Sequence, residues 1–341
     1  MSSELGAEWL ADGGGKEWAR FVASSPTGSA YSLPAYLDAL SRAGGGRARV
    51  LAVKKGDELV GGVSVYERPT RLGTTVRPRL LLFYNGLVLR EETSGYPSER
   101  SSRQLRVVAA LAEELEGTGH RRVELRTRAP FADARPFLAR GWDARPTYSY
   151  VVELEDLEAQ WGRTAQNLRR LVRRCERDGF ELSADGDFGT FHDLHVATHE
   201  QKGAPIYLPA GAFARFYEEL QAQGLARLYH AVAPNGRVAA SQLVLLGHHV
   251  THTVSAAMHR DFASSGVTAF LRWKVFEHLA AEGYRGNDLT DATLNPVTHF
   301  KSQLGGRLET ALVVSTATLR DRSAGAAWGA ARRARARIRG R

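Results

Sequence analysis

Apolar positions along this chain recur at two spacings, and the switches between them outline the elements. Residues 17–23 have the helical spacing, and the loop 24–29, punctuated by Pro26 and Gly28, ends that helix. A second helix is predicted over 33–43. Residues 49–53 and 58–66 alternate as strands around the turn Lys55-Gly56-Asp57, and 80–83 reads as another short strand. Over 101–115 Leu105, Val108, Ala109, Leu111, Ala112 and Leu115 share one helical face. A strand at 122–126, a short helix at 134–140 and a strand at 148–154 close this half.

The second half repeats the rhythm. A helix over 157–178 leads into a strand at 180–184, and helices over 188–202 and 210–223 follow. Strands at 226–233 and 237–246 flank the turn Pro234-Asn235-Gly236, and 249–256 is a further strand. A strong helix over 268–282 ends at Gly283. Residues 284–289 lead into a strand, and 311–316 form the last one. Each half therefore predicts helices, an antiparallel meander with a glycine turn, a long helix, a strand, a short helix and a closing strand. This is a duplication of one mixed α/β unit. The expected boundaries are a flexible N-terminus at 1–15, domains at 16–153 and 154–320, and a basic tail at 321–341.

Bulk properties narrow the class. The 341 residues suffice for two domains, and 43% hydrophobic content suits a globular chain. One cysteine, Cys175, excludes an intramolecular disulfide framework and a cysteine-based zinc cluster, which fits a reducing cytoplasm. No apolar run reaches the roughly 20 residues of a membrane span. The net charge is +9, and six arginines between Arg332 and Arg341 carry much of it. This charge favours anionic partners: RNA, phosphate-bearing co-substrates, or the anionic inner face of a membrane touched peripherally.

The candidate chemistry gathers near the C-terminus, in Asp288-Leu289-Thr290-Asp291 and Phe300-Lys301-Ser302-Gln303-Leu304-Gly305-Gly306. A strand ending in an acid runs into a polar loop, and a short helix then presents one lysine. Acyl transfer to an amine needs the nucleophile deprotonated, the donor carbonyl close and the oxyanion stabilised. Lys301 could meet the third need, and Asp291 and His299 are the candidate bases, with Asp288 more suited to capping the turn. The run His248, His249, His252, His259 splits between the two faces of a strand and has no acid at ligand spacing, which argues against a metal. Arg169/Arg173 and Arg170/Arg174 lie at i,i+4 on one helix, either as a phosphate-tracking stripe for RNA or as a solvated face.

Four stretches carry a family resemblance. They are 18–40 with its Ser25-Pro26-Thr27-Gly28-Ser29 loop; Phe137-Leu138-Ala139-Arg140-Gly141-Trp142 with Thr147-Tyr148-Ser149-Tyr150-Val151; the basic 167–180; and Phe300-Lys301…Gly305-Gly306. In this order they resemble the FemABX-type acyltransferases, tandem relatives of the GNAT acetyltransferases. The resemblance implies two GNAT-like domains, each a mixed, mostly antiparallel sheet flanked by helices. It implies transfer of an aminoacyl group from aminoacyl-tRNA, or an acyl group from acyl-CoA, with no tightly bound cofactor. The acceptor would be an amine on a peptidoglycan precursor, an envelope polysaccharide or a small peptide.

The resemblance also implies site roles. Lys301 would stabilise the reacting end of the donor, and His252 and Thr253 would face it. Ser264, Ser265 and Gly266, before a helix, stand where a thioester-binding loop would be, although its motif is degenerate here. Lys202 and Tyr207 would border the acceptor, with Tyr84 and Asn85 as the other wall. No long helical hairpin, present in some tRNA-binding relatives, is inserted. The alternative is a non-catalytic protein of this fold that binds RNA or anionic lipid through its arginines.

Overall fold

The computed structural model describes residues 5–316 apart from 12–14, 79, 80, 94, 202, 204, 205 and 207. The first half runs β1 (Leu5–Trp9), α1 (Gly15–Ser24), α2 (Pro34–Gly44), β2 (Arg47–Lys55), β3 (Glu58–Thr70), β4 (Gly73–Val76) and β5 (Leu87–Leu89). It continues with α3 (Pro97–Gly117), β6 (Arg122–Arg126), α4 (Arg135–Leu138) and β7 (Asp143–Glu153). The second half runs α5 (Leu157–Arg163), α6 (Gln166–Arg177), β8 (Glu181–Ser183), α7 (Phe188–Gln201), α8 (Ala210–Ala222), β9 (Ala226–Val232), β10 (Val238–Leu245) and β11 (Val250–Met258). It closes with α9 (Val267–Ala281), β12 (Gly286–Asp288), α10 (Pro296–Gln303) and β13 (Arg307–Ser315).

The strands form one sheet in the order β1-β2-β3-β4-β6-β13-β7-β12-β11-β10-β9-β8, with β5 on β3. At its centre β7 and β13 run antiparallel from Arg307↔Val151 to Ser315↔Asp143. β6 of the first half pairs with β13 of the second, and β12 of the second pairs with β7 of the first. The two halves thus exchange their closing strands in both directions, the geometry expected of a duplicated unit. The only parallel pairs, among the described residues, are β4 with β6 and β11 with β12.

Each half buries its own apolar layer. In the first half α3 lies on β2, β3 and β6 around Leu51, Val63, Leu111 and Leu125; in the second α6 and α9 cover β9 and β10 around Val172, Phe270, Phe276 and Val244. A third cluster joins Tyr31, Tyr36, Leu40 and Leu82 of the first half to Phe191, Phe213, Phe216 and Val254 of the second. Its fully buried aromatic rings weld the halves together.

Several elements depart from the sequence expectation. Residues 5–9, expected to be flexible, form an edge strand on β2. Trp9 anchors it, donating to Glu114 at 3.0 Å beneath the Arg49 guanidinium. The helix expected over 157–178 breaks at Thr164-Ala165. There Gln160 and Thr164 donate to the Leu304 carbonyl, and the Ala165 N–H donates to the Gln303 carbonyl at 2.8 Å. Tertiary hydrogen bonds to α10 outweigh the local helical pattern. Of the strand expected at 80–83, Leu80 lies outside the described residues and 81–83 are irregular; the strand forms at β5 instead. The basic tail 321–341 and residues 1–4 lie outside the described residues.

Candidate active site

The candidate site lies where β11 and β12 part. The two pair in parallel for three residues, Val250↔Gly286 to His252↔Asp288, and then diverge. Opposite β10, one extra residue, Val254, bulges β11 at this point, since Leu243 pairs with Ser255 and Val244 with Thr253.

On the face towards the first half sits a buried polar cluster. Asp288 accepts from the Tyr84 hydroxyl at 2.8 Å, from the Ser149 hydroxyl, and from the Thr290 N–H at 2.7 Å. His252 Nδ1 stands 3.5 Å from Asp288 Oδ2, with the His252 ring edge-on to Tyr31. Burial alone would raise the Asp288 pKa, but His252, Arg128 and the Ser149 hydroxyl outweigh it and hold the carboxyl at about 2. Burial also pulls His252 down. Asp288 is thus a buried carboxylate whose charge is carried by the Tyr84 and Ser149 hydroxyls and the Thr290 N–H, with His252 beside it. Asp288 caps the following turn, and its burial keeps it from meeting a substrate amine.

On the opposite face, towards α9, a polar chain lines the parting strands. Gln242 donates to Thr253 at 3.0 Å, Thr253 to Asn287 at 2.9 Å, and Asn287 to Thr251 at 2.7 Å. Arg272 of α9 is buried, one of its terminal nitrogens has no hydrogen-bond partner, and burial lowers its pKa to about 10.

After β12 the chain turns sharply. Thr290 and Asp291 have φ of 48° and 39°, in the left-handed region that costs a non-glycine residue about 1–2 kcal/mol. This turn aims the carbonyls of Thr290 and Asp291 at Lys301, whose ammonium donates to both, the latter at 2.8 Å. α10 is started by Asn295, whose side chain accepts the Thr298 N–H at 3.0 Å, and by Pro296 at its first position. Burial, and next the nearby Arg272 charge, lower Lys301 to about 8. The result is a half-buried cation at the mouth of the strand split, still charged at neutral pH.

The other expected residues fall in separate places. Asp291 adjoins Lys301 through its backbone and its charge. His299 is exposed on α10. Ser264, Ser265 and Gly266 do precede α9, but Arg174 donates to the carbonyls of Ser264 at 2.6 Å and of Ser265 at 3.1 Å. The Ser265 N–H goes to Phe262, and the Val267 N–H to the Ser265 hydroxyl. Two of the loop's N–H groups are thus spent within it, while its carbonyls are held by Arg174 of α6. Tyr84 belongs to the Asp288 cluster, while Asn85 is stitched to β6. Lys202 and Tyr207 lie outside the described residues.

Arg169, Arg170, Arg173 and Arg177 line a groove of about 540 Å³ on α6, with Gln166 and Asn167 at its end. Glu176 of the same helix is paired with Lys274 at 2.7 Å instead. The bonds from the α5–α6 break to Gln303 and Leu304 set this groove beside the helix that carries Lys301.

Sequence reasoning missed Arg272, Asn287 and Gln242. The signal for Arg272 was present: it is a charge on an otherwise apolar helix, in step with the buried Val275, Phe276 and Leu279.

Comparison with known proteins agrees with this fold. Residues 162–302 match the family model for an acetyltransferase (GNAT) domain. No curated protein matches the chain in sequence. The crystal structure of FemX superposes with a TM-score of 0.70 at 13% identity, covering 89% of this chain and 96% of that one. L-PGS from Bacillus licheniformis gives a TM-score of 0.55 at 11% identity, covering 88% and 90%. A tandem GNAT protein from the clavulanic acid biosynthesis pathway gives 0.54 at 14%, covering 92% and 98%. At these identities the likeness to the structures is one of fold. The chain thus has the fold of FemX and of the tandem GNAT protein, two GNAT-like units in tandem, and residues 162–302 of the second unit match the acetyltransferase (GNAT) domain.

Proposed function

We propose that the chain is an N-acyltransferase that passes an aminoacyl or acyl group to an amine, with the reacting carbonyl placed at Lys301. One observation carries this reading: the Lys301 ammonium is fixed by the Thr290 and Asp291 carbonyls at the mouth of the β11–β12 split. The amine nitrogen attacks the donor carbonyl and the C–N bond forms. The resulting oxyanion is stabilised by Lys301, with Arg272 adding positive potential behind it. Collapse breaks the ester or thioester bond, and the amine's proton leaves with the ribose hydroxyl or the thiol. A half-buried, preorganised cation of this kind contributes about 3–4 kcal/mol to such a step.

The donor reading favours aminoacyl-tRNA over acyl-CoA. The arginine groove leads towards α10, while two N–H groups of the loop before α9, those of Ser265 and Val267, are already spent within it. The acceptor, by resemblance, is an amine on a peptidoglycan precursor, an envelope polysaccharide or a small peptide. The protein would work in the cytoplasm, touching the inner membrane face only peripherally. Among the described residues no helix is long and apolar enough to cross a membrane.

The test gives the protein bulk aminoacyl-tRNA or acetyl-CoA separately, with hydroxylamine as a surrogate amine. Loss of the tRNA ester, dependent on Lys301, supports the reading. Consumption of acetyl-CoA alone moves the donor to acyl-CoA. Salt-sensitive RNA binding with neither donor consumed favours a non-catalytic binder.

A further inference from the structure

A second cavity, with no lining residue in common with the Lys301 helix, lies at the start of β11. It occupies about 290 Å³ between the loop after α1 and the turns of the second half that begin β9, β11 and β12. Val250, which lines this pocket, begins the parallel pairing with β12, and His252, where the strands part, follows two residues on, roughly 7 Å along the strand.

Its walls are largely apolar, with Leu33, Leu246, Val250 and Tyr284 among them, and one cation, Arg128, enters from the first half. They are also preformed. A Cβ on Gly28 would come within 1.9 Å of the Val22 carbonyl oxygen, and one on Gly247 within 2.3 Å of the Val250 carbonyl oxygen. Thr27 and Ser25 pin the loop to β5 through the Leu89 N–H at 2.9 Å and the Leu89 carbonyl at 2.6 Å.

Arg128 is the informative residue. It follows β6, donates to the Gly28 carbonyl at 2.6 Å, and lies 5.9 Å from the centre of the Tyr84 ring. Among the described residues no carboxylate lies within ion-pair distance of it. One terminal nitrogen is used by Gly28, and the rest of the guanidinium fork remains available to the pocket. A half-buried guanidinium among apolar walls suits a planar carboxylate, which accepts two parallel N–H bonds. A phosphate would call for converging backbone amides, as at a helix N-terminus. The volume is at the small end for ligand sites.

We propose that this interdomain pocket binds a small carboxylate with a short apolar body, its carboxylate on Arg128 and its chain against Leu33, Leu246 and Tyr284. This site is independent of the acyl-transfer reading, and its ligand need not be donor or acceptor. Arg128 also helps keep Asp288 ionised from the far side of Tyr84, so occupancy would be felt at the polar cluster behind the strand split.

The experiment is a thermal melt of the full chain with butyrate, hexanoate, octanoate or phenylacetate, against hexanamide and inorganic phosphate. At least one carboxylate is expected to raise Tm by roughly 3 °C at saturation, with no shift from the amide or phosphate. Leu225→Trp, which fills the pocket and leaves Arg128 in place, is expected to abolish the shift, as is Arg128→Gln. If Arg128→Gln fails to fold, Leu225→Trp decides. Absence of a shift with every carboxylate, an equal shift with hexanamide or phosphate, or a shift that survives Leu225→Trp would each overturn the proposal.

Discussion

Each half of the molecule parts one parallel strand pair, and the two gaps have had opposite fates. In the first half β4 and β6 pair only at Thr75↔Arg122 and Val76↔Val123. The chain then seals its own gap. Asn85 exchanges backbone and side-chain bonds with Glu124 and Arg126, at 2.8–3.2 Å. Gly86 comes so close that a Cβ there would lie 2.5 Å from the Thr127 Cα. In the second half, among the described residues, a single side-chain bond, from the Thr290 hydroxyl to the Thr253 carbonyl at 2.9 Å, bridges the strands beyond His252 and Asp288, and the Lys301 cation stands beside it.

The helices before the closing strands show the same contrast. Phe137 stands six residues before Asp143, the first residue of β7, and is wholly buried. Lys301 stands six residues before Arg307, the first residue of β13, and holds its ammonium at the gap. One position has become core in one copy and candidate chemistry in the other. The two units share a scaffold, and the proposed chemistry falls at one of the two gaps.

The sharpest way to break this contrast is to truncate both positions. Phe137→Ala is expected to cost about 3–5 kcal/mol of stability in denaturant unfolding, with the folded fraction keeping normal turnover per molecule. Lys301→Ala is expected to lose about 100- to 1000-fold in kcat while melting within a few degrees of the parent. If the two variants exchanged these phenotypes, the contrast would be wrong. Gly86→Ala should destabilise the first half by about 1–3 kcal/mol, because backbone lies where the new methyl must go. A Gly86→Ala protein with unchanged Tm would mean that the gap is not sealed as described. The smallest effect concerns the donor's body. Arg170→Glu with Arg173→Glu should lower the slope of log affinity for tRNA against log salt by about 2, without changing Tm. An unchanged slope would remove the groove from the account.

The duplicated rhythm and the short helix that carries Lys301 were readable from the sequence, because glycine turns, periodic helices and the Phe-Lys…Gly-Gly stretch are local. The strand exchange was not. The residues of β13 state that they form a strand but not that they will lie between β6 and β7. Asn85 was expected as a wall of the site, yet its side chain replaces ladder hydrogen bonds in the first half, a role that depends on where β6 ends. The break between α5 and α6 escaped for a related reason, since its partners are the distant carbonyls of Gln303 and Leu304. Arg272 was the opposite case: its misplaced charge was visible and was passed over.

The central claim is that a charged Lys301 serves the reaction, and the pH dependence of single-turnover acyl transfer tests it most directly. Burial and Arg272 lower the Lys301 pKa to about 8, so the ammonium is present below that pH and lost above it. The rate should therefore stop benefiting from Lys301 as pH rises through about 8, giving an alkaline limb. Lys301→Arg, which keeps its charge, should show a reduced rate without that limb. An alkaline limb that is the same in the parent and in Lys301→Arg, or a Lys301→Ala protein with the parent's rate, would contradict the account.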